Sequence, residues 1–513
     1  MAGAPPAPLA HAAGFLGGFW MQIALAVIAS LALSAWSFYA VSVPNPDAAR
    51  YLRAAELFVL GSWVDGLELF KLPFFSMLIA VIMLATDLDA LTAATILNSV
   101  LFSCLVVMTS ALAYELSSGD RTVVSVTVVL TLLHSQLINI VPLIIRDHGY
   151  LLFFVATILI SIKDNRRPSW RLKLTLVLAI FAASLFRIEG LYLGVLVVGY
   201  YVLCRLRTTS AKVIAISTFT LITSALLPFA FLNWNEGSLF RWLTGDASAP
   251  GVSAMWAVVS QRVDILQNEV LTYGSGQGWK GYISLVVGLA FFQIVRAITP
   301  VYAVLGAISL VPNRLIPRSA ILPIGWYAIG QLPLLLLFAF VNAMLEWRYA
   351  LSLSLVLMFG AIFTVTSSWR DLLAGRRGSA VIFPLIAGSV LVAWLIDLPR
   401  PKPNHPVHEA GEWIREHVPA NARLWTNEPR VAYLAGLPYD ETGGVTEGLA
   451  MPPTDFEING DVDVIVLSAN GGPQVPPRPV ENLELKVRFE SGSDVVSIYS
   501  ACPRMFQCPS VLN

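Results

Sequence analysis

Stretches of about 20 apolar residues recur between residues 18 and 397, each long enough to cross the roughly 30 Å hydrocarbon core of a bilayer. Inside a bilayer no water satisfies backbone N–H and C=O groups, so each stretch must bond its own backbone as a helix. The segments that qualify are 18–41, 91–114, 122–141, 148–163, 172–188, 190–205, 212–232, 290–311, 321–342, 349–368 and 380–397. Residues 73–86 are apolar too, but so short a run suits an interfacial or re-entrant helix rather than a full span. Only 13% of the chain is charged, against roughly 25% in soluble domains. These features predict a mostly α, polytopic transmembrane helical bundle of about eleven spans plus interfacial helices.

The tail differs in kind. From Pro399 onward there are 9 Lys/Arg and 15 Asp/Glu, mildly acidic water-soluble sequence within a chain of zero net charge. No basic tract points to nucleic acid. "PRPKPNHP", 399–406, divides a transmembrane domain, 1–398, from a small C-terminal α/β domain, 399–513. In the latter, "VHEAGEWIREHVP" has helical spacing, with Ala410, Trp413, Ile414 and His417 on one face. "ARLWTN", "VDVIVLSA", "LELKVRFE" and "SDVVSIYSA" read as strands. Cys502 and Cys508 are close enough to pair if the tail faces an oxidising compartment, or stand as two free thiols; Cys104 and Cys204 lie in apolar spans.

Basic residues orient the bundle. The loops Lys163–Lys173, Arg205–Lys212, Arg314–Arg318 and Arg370–Arg377 hold 13 Lys/Arg, and the positive-inside rule assigns them to the cytoplasm. Two spans separate each loop from the next, so their parity agrees. Counting outward puts 42–90, 142–148, 233–289, 343–348 and the tail outside, with the N-terminus cytoplasmic. No Lys or Arg precedes Arg50, so the N-terminus lacks the basic region of a secretory signal and Gly18–Val41 reads as a retained first span.

Charged residues gather at the expected external ends of spans, where ionisable groups default to functional hypotheses. The first loop carries Asp47, Arg50, Tyr51, Arg53, Glu56, Asp65, Glu68 and Lys71; "IIRDHGYLL" adds Arg146, Asp147 and His148; "LFRIEGLY" adds Arg187 and Glu189; "MLEWRYAL" adds Glu346, Arg348 and Tyr349. Arginine and lysine bind phosphate, a carboxylate within reach of a hydroxyl or amine acts as general base, and fixed positive charge stabilises a departing phosphate. Such an inventory suits a phosphorylated lipid presented at the outer leaflet.

"PDAARYLRAAELFVLGSW" followed by "KLPFFSMLIAVIML" resembles the first external loop of the C-type membrane glycosyltransferases, which include protein O-mannosyltransferases and lipid A aminoarabinose transferases. "RDHGYLLFF", "FRIEGLYLG", "WRYALSLSLVL" and "WIREHVPANARLWTNEPRVAYLAGLP" resemble later motifs of that family, in the family's order. The usual Lys-Pro-Pro is Lys71-Leu72-Pro73 here, keeping the lysine. The resemblance implies a polyprenyl-phosphate-linked sugar donor and an extracytoplasmic glycan, lipid or protein acceptor, at the inner membrane of a bacterium and in contact with membrane lipid. It implies Asp47 as catalytic base and Asp147 as the second catalytic aspartate, organising the acceptor site or helping to hold a divalent cation. Lys71 and Arg348 would bind the donor phosphate with Glu68 in support, and Tyr51, Arg146, Arg187 and Tyr349 complete the implied substrate-binding set. Family members with and without a metal share this pattern, so no metal ligand is assigned.

Each residue also has a plainer role. Asp47 follows Pro46 and suits an N-cap; Arg146 with Asp147, and Arg348 with Glu346, suit interfacial pairs; Lys71 suits a snorkelling anchor. Arg187 and Glu189, two apart, should face different sides of a helix and bond other spans rather than each other. His148 has no second His or Cys at ligand spacing. The alternative function, a secondary transporter or lipid flippase, would place charges near the midplane at interrupted helices.

Overall fold

The computed structural model describes residues 18–41, 43–69, 72–206, 210, 252–271, 276–309, 316–376, 378–400, 405–419, 422, 424–437, 464–469, 484–491 and 494–500. Ahead of the tail the described chain is helical: α1 (Phe19–Ala40), α2 (Pro46–Val59), α3 (Trp63–Leu69), α4 (Phe74–Thr86), α5 (Ala90–Leu116), α6 (Arg121–Leu132), α7 (Ser135–Ile140) and α8 (Asp147–Arg166). There follow α9 (Trp170–Phe186), α10 (Tyr192–Arg205), α11 (Val252–Ile265), α12 (Gly278–Ile298), α13 (Pro300–Ser309), α14 (Arg318–Asn342), α15 (Leu351–Leu373) and α16 (Ser379–Asp397). Short 3₁₀ turns, Ile188–Leu191 and Trp347–Ala350, lead into α10 and α15.

Among the described residues six helices are long and apolar enough to cross a membrane: α1, α5, Ile188–Arg205, α12, Ser319–Asn342 and Trp347–Leu373. The short run 73–86 forms α4, 13 residues long. The expected span 212–232 lies outside the described residues, as do Lys71, Cys502 and Cys508.

Two expected spans are broken, and the breaks have local causes. Residues 122–141 divide into α6 and α7 at His134, whose Nδ1 accepts from Leu137 N at 3.3 Å and so caps α7. The span expected over 290–311 instead begins at Gly278 and divides at Thr299, where φ is +64. Pro300 disfavours helical backbone at the residue before it, and a β-branched side chain rarely enters this region of φ. The two breaks bond each other: Ser135 Oγ and Thr299 Oγ1 are 3.0 Å apart, His134 Nε2 meets Ser354 Oγ at 2.8 Å, and Tyr302 donates to Leu130 O at 3.0 Å.

The chain divides into two compact units: Met1–Leu33, Asn98–Val141 and Arg146–Leu398 form one, and Ser34–Leu97, Pro142–Ile145 and Pro399–Asn513 the other. In the first, α15 is the most enclosed helix, buried over nearly all of Leu351–Thr366. In the second, helices α17 (Pro406–His417) and α18 (Pro429–Ala435) accompany strands β1 (Leu424–Thr426), β2 (Val464–Ala469), β3 (Glu484–Ser491) and β4 (Asp494–Ser500). The sheet order is β1-β2-β4-β3, parallel between β1 and β2 and otherwise antiparallel. All four strands fall on the segments expected to form them. The buried face of α17 is Val407, Ala410, Gly411 and Ile414, with Trp413 at its edge. His417, expected on that face, is exposed and stacks on the Trp413 ring instead, at 4.7 Å.

Asp89 shows how sequence sets one helix start. Its carboxylate accepts from Thr92 N at 2.9 Å and Thr92 Oγ1 at 2.6 Å, closing the first turn of α5. Burial pushes the Asp89 carboxyl up, but the bonds from Thr92 outweigh it and hold the group below its ordinary value of 3.8. A carboxylate depressed on folding contributes stability above its unfolded value, and loses it as pH falls through the lower folded one. Asp89→Ala is therefore expected to cost about 1 kcal/mol at neutral pH. In denaturation of detergent-solubilised protein, its difference from wild type should shrink at pH values below 3.8.

Candidate active site

The helix starts that carry charge in the first compact unit converge. Asp147 opens α8 directly after Arg146. Helix α9 ends at Phe186, and Arg187 is extended, with φ −147 and ψ 133, before the 3₁₀ turn that holds Glu189. A second 3₁₀ turn, just ahead of α15, carries Arg348 and Tyr349.

Arg187 is the hub. Its Nη1 donates to Asp147 Oδ1, while Nη2 and Nε reach the two oxygens of Glu189 at 2.7 and 3.5 Å. The residue is only 5% exposed, and both partner carboxylates are largely enclosed. Two bonds to one carboxylate and one to another use the planar fork of arginine in a way a lysine cannot reproduce. The guanidinium also lies 4.3 Å from the Tyr349 ring centroid and 5.5 Å from that of Tyr150. This overturns the expectation that Arg187 and Glu189 face apart. The chain leaves the helix at Arg187, so helical spacing does not apply, and the two side chains pair.

Arg348 pairs with Glu346, Nε to Oε2 at 2.5 Å, and its guanidinium stands 5.7 Å from the Tyr349 ring. Both Arg348 and Arg146 act electrostatically on Asp147. The cluster thus balances three guanidinium groups, Arg146, Arg187 and Arg348, against three carboxylates, Asp147, Glu189 and Glu346.

Two glycines let these elements meet. A Cβ on Gly149 would lie 2.3 Å from the Phe186 ring, and one on Gly190 would lie 2.3 Å from Ser184 N and 2.4 Å from the Ala183 carbonyl carbon. Beside the cluster is a cavity of about 290 Å³, its open mouth included, lined by Tyr150, Arg187, Glu189, Gln331, Leu334, Leu335, Phe338, Tyr349 and Ser352.

The other expected residues belong to the second compact unit. Asp47 is not an N-cap. That position is Asn45, whose Oδ1 accepts from Ile144 N at 2.8 Å, and with Pro46 at the first helical position Asp47 becomes the second. A carboxylate there suits the positive end of the helix without having to cap it. Tyr51, one turn on, is buried edge-on against Phe75 with ring centroids 5.2 Å apart. Glu68 is exposed on α3, and Arg53 pairs with Glu56 at 3.1 Å. Among the described residues no group of three or more His, Cys, Asp or Glu is arranged to hold a metal. His148 is buried against Phe102, ring centroids 6.1 Å apart.

Sequence reasoning passed over Tyr150, Gln331 and Ser352 as site residues. The available signal was Gln331, a lone amide inside the long apolar helix α14.

Neither a protein-family model nor a curated protein sequence matches this chain. Among solved structures the chain is similar to the crystal structure of ArnT from Cupriavidus metallidurans in the apo state. The two are 12% identical over 96% of this chain and 99% of that one, with a TM-score of 0.43.

Proposed function

We propose that the chain is an integral membrane glycosyltransferase of the C type, moving a sugar from a polyprenyl-phosphate-linked donor to an acceptor on the extracytoplasmic face, with inversion. The observation that carries this reading is the buried Asp147–Arg187–Glu189 triad beside Arg348, Tyr349 and a cavity. Its residues come from the motifs "RDHGYLLFF", "FRIEGLYLG" and "WRYALSLSLVL", which resemble that family in sequence.

In the proposed step, the acceptor O–H or N–H gives its proton to the Asp47 carboxylate. The acceptor atom bonds the anomeric carbon from the face opposite the phosphate. The anomeric C–O bond breaks, and its electron pair leaves with the polyprenyl phosphate. The family resemblance assigns the departing phosphate to Arg348 and Lys71. Asp147, held on one side by Arg187, orients the acceptor rather than acting as the base. If Asp147 helps to hold a divalent cation, as the resemblance allows, added metal should raise turnover and a chelator should lower it.

The interrupted helices at His134 and Thr299 are the feature that favours the transporter alternative. Their side chains, however, serve the bends themselves: His134 accepts from Leu137 N and meets Ser354 Oγ, and Thr299 Oγ1 meets Ser135 Oγ. The deciding experiment is transfer by purified protein from a radiolabelled polyprenyl-phosphate sugar to cell-envelope acceptors. Asp47→Asn should lower kcat by about 10²–10⁴-fold, the usual contribution of a general base. Wild-type turnover in both Asp47→Asn and Asp147→Asn would defeat the assignment; donor movement across vesicles without transfer would favour the transporter.

A further inference from the structure

Asn45 occupies the N-cap position of α2 in extended backbone, φ −68 and ψ 159, yet its side chain makes no capping bond. An N-cap asparagine ordinarily accepts from a backbone N–H two or three positions into its own helix. Here the amide turns to Ile144 instead. Its Oδ1 accepts from Ile144 N at 2.8 Å, and its Nδ2 donates to Ile144 O over a longer, weaker 3.5 Å.

Ile144 needs that partner. It is 1% exposed and lies between α7 and α8 in a stretch that is neither helix nor strand. A buried backbone N–H outside regular structure must be satisfied by something else, and Asn45 supplies the acceptor from 99 residues away. One side chain therefore ties two loop segments together, both within the second compact unit.

The start of α2 is held from the other direction too. Val43, two residues before Asn45, belongs to the hydrophobic core of the tail, together with Val407, Ile414, Val431 and Val464. Helix α18 of the tail packs against α2, along which Ala48, Ala49, Leu52, Ala54 and Ala55 are fully buried. A helix so enclosed moves as one body, and whatever fixes its first residues fixes the backbone of Asp47, two positions after Asn45. Asn45 itself precedes "PDAARYLRAAELFVLGSW", the stretch whose resemblance gives Asp47 its role.

We propose that Asn45 is a positioning residue for transfer: by bonding Ile144 rather than capping α2, it sets where the Asp47 carboxylate stands towards the acceptor. The proposal rests on the transferase reading and on Asp47 as the base. A base must come within hydrogen-bond reach of the proton it takes, and a displacement of about 1 Å can cost about 10²-fold in rate.

The test uses the full chain in lipid nanodiscs and the variant Asn45→Ser. Serine caps a helix as well as asparagine does, but its side chain is one bond too short to reach Ile144. The cap gained offsets part of the bond lost, so the variant should fold. Hydrogen exchange across 142–146 should quicken about tenfold, while strand β2 of the tail keeps its protection. In the transfer assay kcat should fall about 10- to 100-fold, with the KM for the donor within threefold. Added to Asp47→Asn, the same change should cost less than twofold more, because no base is left to misplace. A smaller folded fraction would instead lower turnover by one factor in both backgrounds. Unchanged exchange across 142–146, wild-type kcat in Asn45→Ser, or a loss that multiplies with that of Asp47→Asn would overturn the proposal. Wild-type protein that transfers no sugar would defeat the transferase reading itself, a result distinct from transfer that is indifferent to Asn45.

Discussion

Arg187→Met should destabilise the protein by about 3–5 kcal/mol and abolish transfer, the largest effect expected of any single side chain at the site. The change keeps much of the volume and removes only the guanidinium. What remains is two enclosed carboxylates, Asp147 and Glu189, within one small region and without the group that bonded both. Such carboxylates must take up protons, draw in water or separate, and each route disrupts the start of α8 or the turn after α9. Arg187→Lys should fare little better, because one ammonium cannot occupy all three positions of the fork. The triple variant Arg187→Met, Asp147→Asn, Glu189→Gln separates the causes. Removing the stranded charge should recover most of the stability lost in detergent-denaturation midpoints, while activity stays absent. Arg187→Met that melts like wild type would show that the triad does not hold these helix starts together.

Gly190→Ala is expected to cost about 3 kcal/mol or more, at or above the upper end of ordinary overpacking. The reason is space rather than backbone freedom. The added methyl would sit 2.3 Å from Ser184 N and 2.4 Å from the Ala183 carbonyl carbon, and those are backbone atoms that cannot swing aside like a side chain. Gly190 N donates to Arg187 O at 2.8 Å, and Arg187 N to Ala183 O at 2.9 Å. Pushing the turn outward therefore moves Arg187 and Glu189 together, and transfer should fall by more than tenfold along with stability. Gly149→Ala meets the Phe186 ring instead, which can rotate, so its penalty should be smaller. Gly194→Ala, four residues on with open space at its Cβ, should be neutral. Equal melting temperatures for Gly190→Ala and Gly194→Ala would refute the close-approach account.

The parts of the fold legible in the sequence are those governed by local patterning. The undersized run 73–86 became the short helix α4, and each strand of the tail falls on a segment that reads as a strand. Capping was misread by two positions at Asp47, because Asn, Pro and Asp in succession can each open a helix. The tertiary contact from Asn45 to Ile144 goes with the choice actually made. The broken helices were missed for a related reason. Apolar composition reports what lipid tolerates, whereas His134 and Thr299 are accommodated by partners 164 to 220 residues away.

For the site, the sequence by itself determined which charged residues stand at the ends of apolar runs, because moving them deeper into lipid is unfavourable whatever the fold. It could not say which of them bond each other. Arg187 and Glu189 looked incompatible under helical spacing, and only the extended backbone at Arg187 let them share a face. Asp147 joins them from 40 residues away. The bond from Ser352 Oγ to Gln331 Oε1 belongs wholly to the tertiary structure: it exists only once α14 and α15 have come together, and no pattern within one helix records what its neighbour supplies.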